Sequence, residues 1–339
     1  MEERTRSRGE WLLALAAALV LACGCSFVAA GAMIKWFDPS PRLDGPKVRD
    51  WIQDTGGLVV SAQDGTSDRV EQSFHVGGSP ELEIDNFAGS VTVRAVGGGD
   101  IHVIAIKRGG RESDREQTEV RFLKLDRGLR IETERPRGAR NVSVELEITV
   151  PAGTRLGAQT GSGSMEVRGL HGEVRLDTGS GQVMVSEVRA PVDVHSGSGA
   201  VEIYDLGGDV VVDTGTGGVQ IVDAHGEIRA HTGSGRMEVR GAMGRVQLDT
   251  GSGSITYQGR PKGDCRFETG SGSVDLLLPS RPNLNLDLDT GSGQIEVGFE
   301  LNGRVQAGDR RVTGTVGQGG EGRLQVHTGS GHIRLSGSD

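Results

Sequence analysis

The residues best suited to chemistry recur at a fixed place in a repeat: Asp177, His195, Asp213, His231, Asp249, Glu268, Asp289 and His327. Each stands directly before a Thr/Ser-Gly-Ser/Thr-Gly quartet, and successive members of the first five are 18 residues apart. Imidazole and carboxylate are ligand types that zinc accepts. If the repeats stack, Asp177, His195, Asp213 and His231 form a candidate divalent-metal column. The same alternation has an electrostatic reading. Carboxylates in neighbouring strands repel one another, and a histidine between them relieves that repulsion and adds attraction once protonated. Spacing favours the second reading, because ligands in one flat column do not converge on a tetrahedron. The column is therefore read first as a charge-balanced surface ladder and second as a metal site.

The glycine quartets invite a phosphate-binding reading. A phosphate cradle needs a strand, a glycine turn and then a helix whose N-terminus meets the anion. Each quartet here is followed by another strand pattern, as in "GSMEV" and "GSITY". The one GxGxxG, formed by Gly317, Gly319 and Gly322, leads into the strand-like "RLQV". Nucleotide binding is not expected. Calcium-binding β-rolls repeat nine residues with an Asp in the turn, whereas this unit is twice as long and lacks that Asp. Acidic pairs such as Asp193 and Asp209 exist, but 24% of the chain is charged and the minimal coils leave no room for a cleft. No catalytic residue and no cofactor is assigned. The glycines are read as corners, where a chain reversal needs positive φ, with Ser and Thr hydroxyls bonding local backbone or stacking in ladders.

What must position these residues is the repeat itself. The quartets begin at Thr160, Thr178, Ser196, Thr214, Thr232, Thr250, Thr269, Thr290 and Thr328. Five steps of 18 are followed by 19, 21 and 38, the last read as two coils with a degenerate one between. Within each unit the apolar positions keep station: Met165, Val167, Leu170, Val174 and Leu176 become Val183, Val185, Val188, Val192 and Val194. Each unit is thus two short strands of period two joined by two turns. Such a pair is marginal alone, but stacked copies bury a continuous aliphatic stripe. The expected fold is all-β, a parallel β-solenoid with two strands per 18-residue coil and a rise of about 4.8 Å per coil. The narrow interior is expected to admit Val, Ile and Leu but not Trp or Tyr.

Composition agrees. Glycine makes up 56 of 339 residues and aromatics only 4%; ordinary chains have about 7% glycine. The net charge of −9 and the lack of a basic patch argue against nucleic acid. Of three cysteines, Cys23 and Cys25 fall in an N-terminal apolar run, so Cys265 has no partner for a disulfide framework. That run, residues 11–34, carries no charge over 24 residues, enough to cross a bilayer as one helix. Two other readings compete: "VLAC" resembles a lipobox that would lipidate Cys23, and "AGA" at Ala30–Ala32 suits a signal peptidase. Arginines before the run and Lys35, Arg42, Lys47 and Arg49 after it leave orientation undecided. The chain divides into a tail (1–10), this anchor, signal or lipoprotein segment (11–34), a polar linker (35–69) and a β domain (70–339). Within the last, 70–155 holds irregular coils with a charged hairpin insertion and 156–339 the regular repeats.

"LEIDNFAGSVTVRAV", "VELEITVPAGTRLGAQTGSGSMEV" and the later quartets together resemble the bacterial putative-adhesin family, a domain of unknown function, over residues 70–339. The resemblance implies an all-β solenoid, often on a membrane-spanning or lipid-anchored N-terminus, with no established enzymatic activity. The functional expectation is a non-catalytic, membrane-anchored envelope module for adhesion or scaffolding, its solenoid outside the cytoplasm. Ladders such as Glu166, Glu202 and Glu238 would serve repetitive contacts. Two alternatives are a self-assembling filament and an envelope-stress sensor acting through a membrane partner. The filament idea rests on the C-terminus, where Ile333 and Leu335 are expected to end the stack uncapped and to invite another chain.

Overall fold

The structure is a computed structural model, and it describes residues 60–63, 67–305, 310–320 and 322–338. The segment 11–34, Cys23 and most of the linker lie outside the described residues. Among those described, no helix is long and apolar enough to cross a membrane.

From Val60 onward the described chain is one unit of two 14-stranded sheets facing each other across a shared core. In each sheet eleven neighbouring strands pair in parallel and three more join through antiparallel pairings. The regular coils alternate between the sheets. Met165–Arg168, Val183–Val188 and Val201–Leu206 are neighbours in the first, with Val174–Ser180, Val192–Ser198 and Val210–Thr216 beside one another in the second. Through the 18-residue coils register is unshifted, so each sequence position becomes a column, Val174 on Val192 on Val210 on Ile228; a shift enters between Arg240 and Ala242, where Ala242 meets Gly259. The all-β solenoid expected from the 18-residue period is the observed fold.

Inward columns are nearly dry: Val183, Val185, Val194, Val201, Ile203 and Val210 are all inaccessible to solvent. The first residue of each quartet also points inward, from Thr160 through Thr178, Ser196 and Thr214 to Thr328. Several of these hydroxyls donate to the last glycine carbonyl of the coil below: Thr269 Oγ1 to Gly253 at 2.9 Å, Thr328 to Gly272 at 3.0 Å and Thr290 to Gly331 at 3.0 Å. Thr178, Ser196 and Thr214 are buried with no such partner. The quartet glycines are needed for two reasons. Gly199 has φ 139°, and a Cβ on it would overlap the carbonyl oxygen of Gly181 in the adjacent coil.

Three expectations change. Tyr257 is fully buried, although a tyrosine was not expected to fit. Its ring packs on Phe267 with centroids 5.2 Å apart, and room comes from the corner, where Ala242 and Gly259 replace the larger Leu170, Val188 and Leu206. Nor is there a degenerate coil in the 38-residue step. Leu301–Val305 and Arg311–Val316 form an antiparallel hairpin that covers the outer edge of Leu284–Ser292.

The third correction concerns the end of the stack. Arg323–Ser330 lies between Cys265–Ser271 and Leu284–Ser292, and Ile333–Ser338 lies between Val274–Pro279 and Ile295–Val297. The last coil in sequence is therefore inserted one step inside the last coil in space. Ile333 and Leu335 are buried inner residues, paired on both sides, not an uncapped terminus. The physical reason lies partly in charge. Stacked directly, Glu268 would meet Asp289 and Asp275 would meet Glu296; the inserted coil puts His327 between the first pair and Arg334 between the second. The other end mirrors this arrangement. The coil at 81–96 sits between the one at 128–151 and the one at 155–168. Beyond the 128–151 coil, antiparallel strands Asp100–Gly109, Ser67–His75 and Val60–Gln63 close the first sheet and Glu119–Leu125 closes the second. A single helical turn, Glu112–Glu116, links two of these, too short for a 3.6-residue period to reveal.

Candidate functional site

The residues before the quartets project from the outer face of the second sheet as one continuous column. In space its order is Gln159, Asp177, His195, Asp213, His231, Asp249, Glu268, His327 and Asp289. Insertion of the C-terminal coil moves His327 from the end of the series to a place between two carboxylates. As a result, every histidine of the column has an acidic residue on both sides: Asp177 and Asp213 around His195, Asp213 and Asp249 around His231, Glu268 and Asp289 around His327. The strand spacing of about 4.8 Å fixes the step between them.

Side chains settle what such neighbours do. His231 Nδ1 lies 3.8 Å from Asp249 Oδ2 and His327 Nδ1 lies 3.3 Å from Asp289 Oδ2, both along the column. His195 turns instead toward Asp193 on its own strand, Nε2 to Oδ1 3.2 Å. All three imidazoles are about half exposed, at 48%, 53% and 53%. Beside the column, Arg175 reaches both Glu173 and Asp193, and Arg266 donates to Glu268, whose hydrogen bond raises the guanidinium pKa further. Asp177, His195, Asp213 and His231 are thus brought into one row, but His195 pairs with Asp193 and His231 with Asp249, neither of them one of the four. Among the described residues no group of three or more His, Cys, Asp or Glu side chains is gathered as a metal site requires.

A second acidic column was missed by sequence reasoning. At the opposite corner Glu187, Asp205 and Asp223 occupy stacked positions with φ of 57°, 51° and 55°, between Gly169 and Gly241 at the same place. Left-handed backbone is unusual for residues other than Gly, Asn and Asp, and three in a row mark a corner held by its surroundings. Arg189 grips Asp205 with two hydrogen bonds of 2.8 and 2.9 Å, and that grip, with the charge behind it, lowers the Asp205 pKa. Arg168 holds Glu187 at 2.7 Å. The signal available was the fixed offset of these residues from Gly169 and Gly241, which recur at the same 18-residue spacing.

On the first sheet, Glu166, Glu202 and Glu238 fall two coils apart, separated by Met184 and Gln220. A surface cleft of about 460 Å3 opens at the corner near Met243, Arg260, Leu277 and Pro279. Tyr257 lies beneath its Gly259 wall; its hydroxyl is buried without a partner and burial raises its pKa. Burial likewise pushes up the Cys265 thiol pKa. Neither group has a neighbouring base within the cleft lining. The GxGxxG segment is a turn, with Gly317 and Gly319 at φ 69° and 76°, entering the strand Arg323–Ser330.

Comparison with known proteins places the chain in a family. No curated protein matches the chain. Similar solved structures include a putative cell adhesion protein from Clostridium sporogenes, 12% identical over 79% of this chain and 99% of that one, TM-score 0.21. A putative adhesin from Bacteroides fragilis is 10% identical over 79% and 97%, TM-score 0.36. One from Parabacteroides distasonis is 10% identical over the same shares, TM-score 0.30. The sequence pattern of the Toastrack DUF4097 family matches residues 80–336, from the first inserted coil to the last, and the chain belongs to that family.

Proposed function

We propose that this chain is a membrane-anchored protein of a bacterial envelope whose solenoid acts, without catalysis, as an adhesion or scaffolding surface. The observation that carries the reading is the register. Side chains such as Glu166, Glu202 and Glu238, which are half-buried, or the acid–histidine column from Asp177 to Asp289, repeat at fixed intervals on broad outer faces. A periodic face suits a partner met at many points, whereas a reaction needs groups converging on one point. The uncharged run at 11–34 supports the anchor, with lipidation of Cys23 as the other route to the membrane. An extracytoplasmic solenoid follows from that reading.

Protease treatment of intact cells producing the full chain tests it. Cleavage of the solenoid on intact cells, or after permeabilising only an outer membrane, agrees with the proposal; protection until the cytoplasm is opened overturns it. The surface role has its own test. Replacing Glu166, Glu202 and Glu238 together by lysine should abolish attachment of producing cells to their substratum or to one another, with the protein still folded. Unchanged attachment counts against that face.

A further inference from the structure

The position of the C-terminal coil points to a partner. Residues 323–338 fill a slot whose two walls, the coils at 265–279 and 284–297, both precede them in sequence. The walls can be laid down first and the coil is the piece that arrives last. Its inner residues Leu324, Val326, Ile333 and Leu335 are at most 2% exposed, and its backbone is paired along both edges in both sheets. An empty slot therefore exposes apolar surface and four unpaired strand edges, the situation that recruits another strand.

The slot does not heal well by itself. Its walls carry the same quartet, Thr269 to Gly272 and Thr290 to Gly293, and closing them on each other would keep the register. Closure sets Glu268 against Asp289 on one face and Asp275 against Glu296 on the other. A coil bearing His327 and Arg334 at those two positions resolves both conflicts, and Arg334 holds Glu296 at 2.9 Å. The slot is thus shaped and charged for this coil. A second copy of the chain carries the same coil.

The connection also permits exchange. Four of the six residues from Gly317 to Gly322 are glycine, and six residues reach roughly 20 Å when extended, several times one coil step. Contacts made by the coil in a neighbour's slot are the same as in its own, the condition under which exchange of an element between protomers is inexpensive. We propose that residues 323–338 exchange between copies, each chain donating its last coil to the slot of another, and that self-association proceeds through this insertion. The inference is independent of the surface role proposed above.

Ser271 and Ser330 are exposed register partners on adjacent strands, so a disulfide between them reports whose coil occupies whose slot. Isotope-labelled full-length S271C and unlabelled full-length S330C are folded together in detergent and oxidised, and the joined peptides are mapped by mass spectrometry. Exchange predicts a labelled 271-bearing peptide joined to an unlabelled 330-bearing peptide. Its yield should be roughly 100-fold above an S180C plus S330C mixture, the ratio of mM effective concentration within a shared fold to ~10 µM bulk protein. Deleting Gly319 and Gly320 should raise the yield further, because a short hinge disfavours return to the chain's own slot. The double variant S271C/S330C checks the geometry. If it closes within one chain while the mixture stays at the control level at every concentration, exchange is overturned. If it does not close at all, the insertion itself is wrong.

Discussion

Replacing Gly199 by alanine tests the corner geometry on which the stack depends. Gly199 ends the quartet Ser196–Gly199 with φ 139°, and a Cβ there lies 2.7 Å from the Gly181 carbonyl carbon and closer still to its oxygen. Holding an L-residue at such φ, outside the left-handed α region, costs about 1–3 kcal/mol. Relieving the overlap requires the two corners to part, about 1–3 kcal/mol by analogy with overpacked cores. G199A should therefore lose about 2–6 kcal/mol by those two contributions together. In a stack held by nearest-neighbour contacts, the loss should concentrate nearby. Amide exchange should accelerate in Val183–Val188 and Val201–Leu206 and stay slow in Cys265–Ser271. The matched control is Gly157, where a Cβ meets nothing within 4 Å and φ is unexceptional; G157A should be stabilising by about 0.4–1 kcal/mol. Equal urea midpoints for G199A and the parent, or exchange that quickens uniformly along the stack, would refute the reasoning.

Three further outcomes follow from the same columns. Thr269→Val removes a hydroxyl that donates to Gly253 and should cost about 1 kcal/mol, whereas Thr214→Val removes a buried hydroxyl without a partner and should be neutral or stabilising; equal urea midpoints for the two variants contradict this. Asp205 is depressed below the ordinary 3.8 by Arg189, so its contribution is full above that pH and disappears as pH falls through the lower folded value. R189A should accordingly flatten the loss of stability below about pH 4, and parallel acid limbs for R189A and the parent speak against the pairing. His327→Glu makes a run of four carboxylates, Asp249, Glu268, the new Glu and Asp289, and should destabilise by about 0.5–2 kcal/mol over its two like-charge contacts. That penalty should shrink in 1 M salt, where the Debye length is about 3 Å; a salt-independent loss would instead indicate a packing defect.

Much of this fold is legible in the chain because it is written many times. The 18-residue interval fixes which residues share a column, and the alternation of Val and Ile with polar residues fixes which face each column takes. The ends are less legible, because a period says that coils stack and not in which spatial order. Charge held part of the missing signal: Glu268 followed by Asp289, and Asp275 followed by Glu296, make two acidic contacts in one coil step, and the later coil offers His327 and Arg334 at those positions; the stacking of Asp249 on Glu268 shows that a single such contact is tolerated. Tyr257 escaped a rule drawn from average coil width, since its room comes from Ala242 and Gly259 one corner away. The acid–histidine row was readable as far as Asp249. Its completion by His327 depended on an insertion that no local pattern announces.

Near each end of the stack a coil is locked in out of sequence order, one step inside the last, while the middle is a run of 18-residue units that alternate acid and histidine on their outer face. Adding or deleting a pair of 18-residue units there keeps the alternation, leaves the two ends intact and changes their separation by about 10 Å. The molecule is in that sense a ruler, graduated by the turn of two coils. The distance between whatever it holds at one end and whatever it meets at the other can be set by unit number alone, without redesigning either.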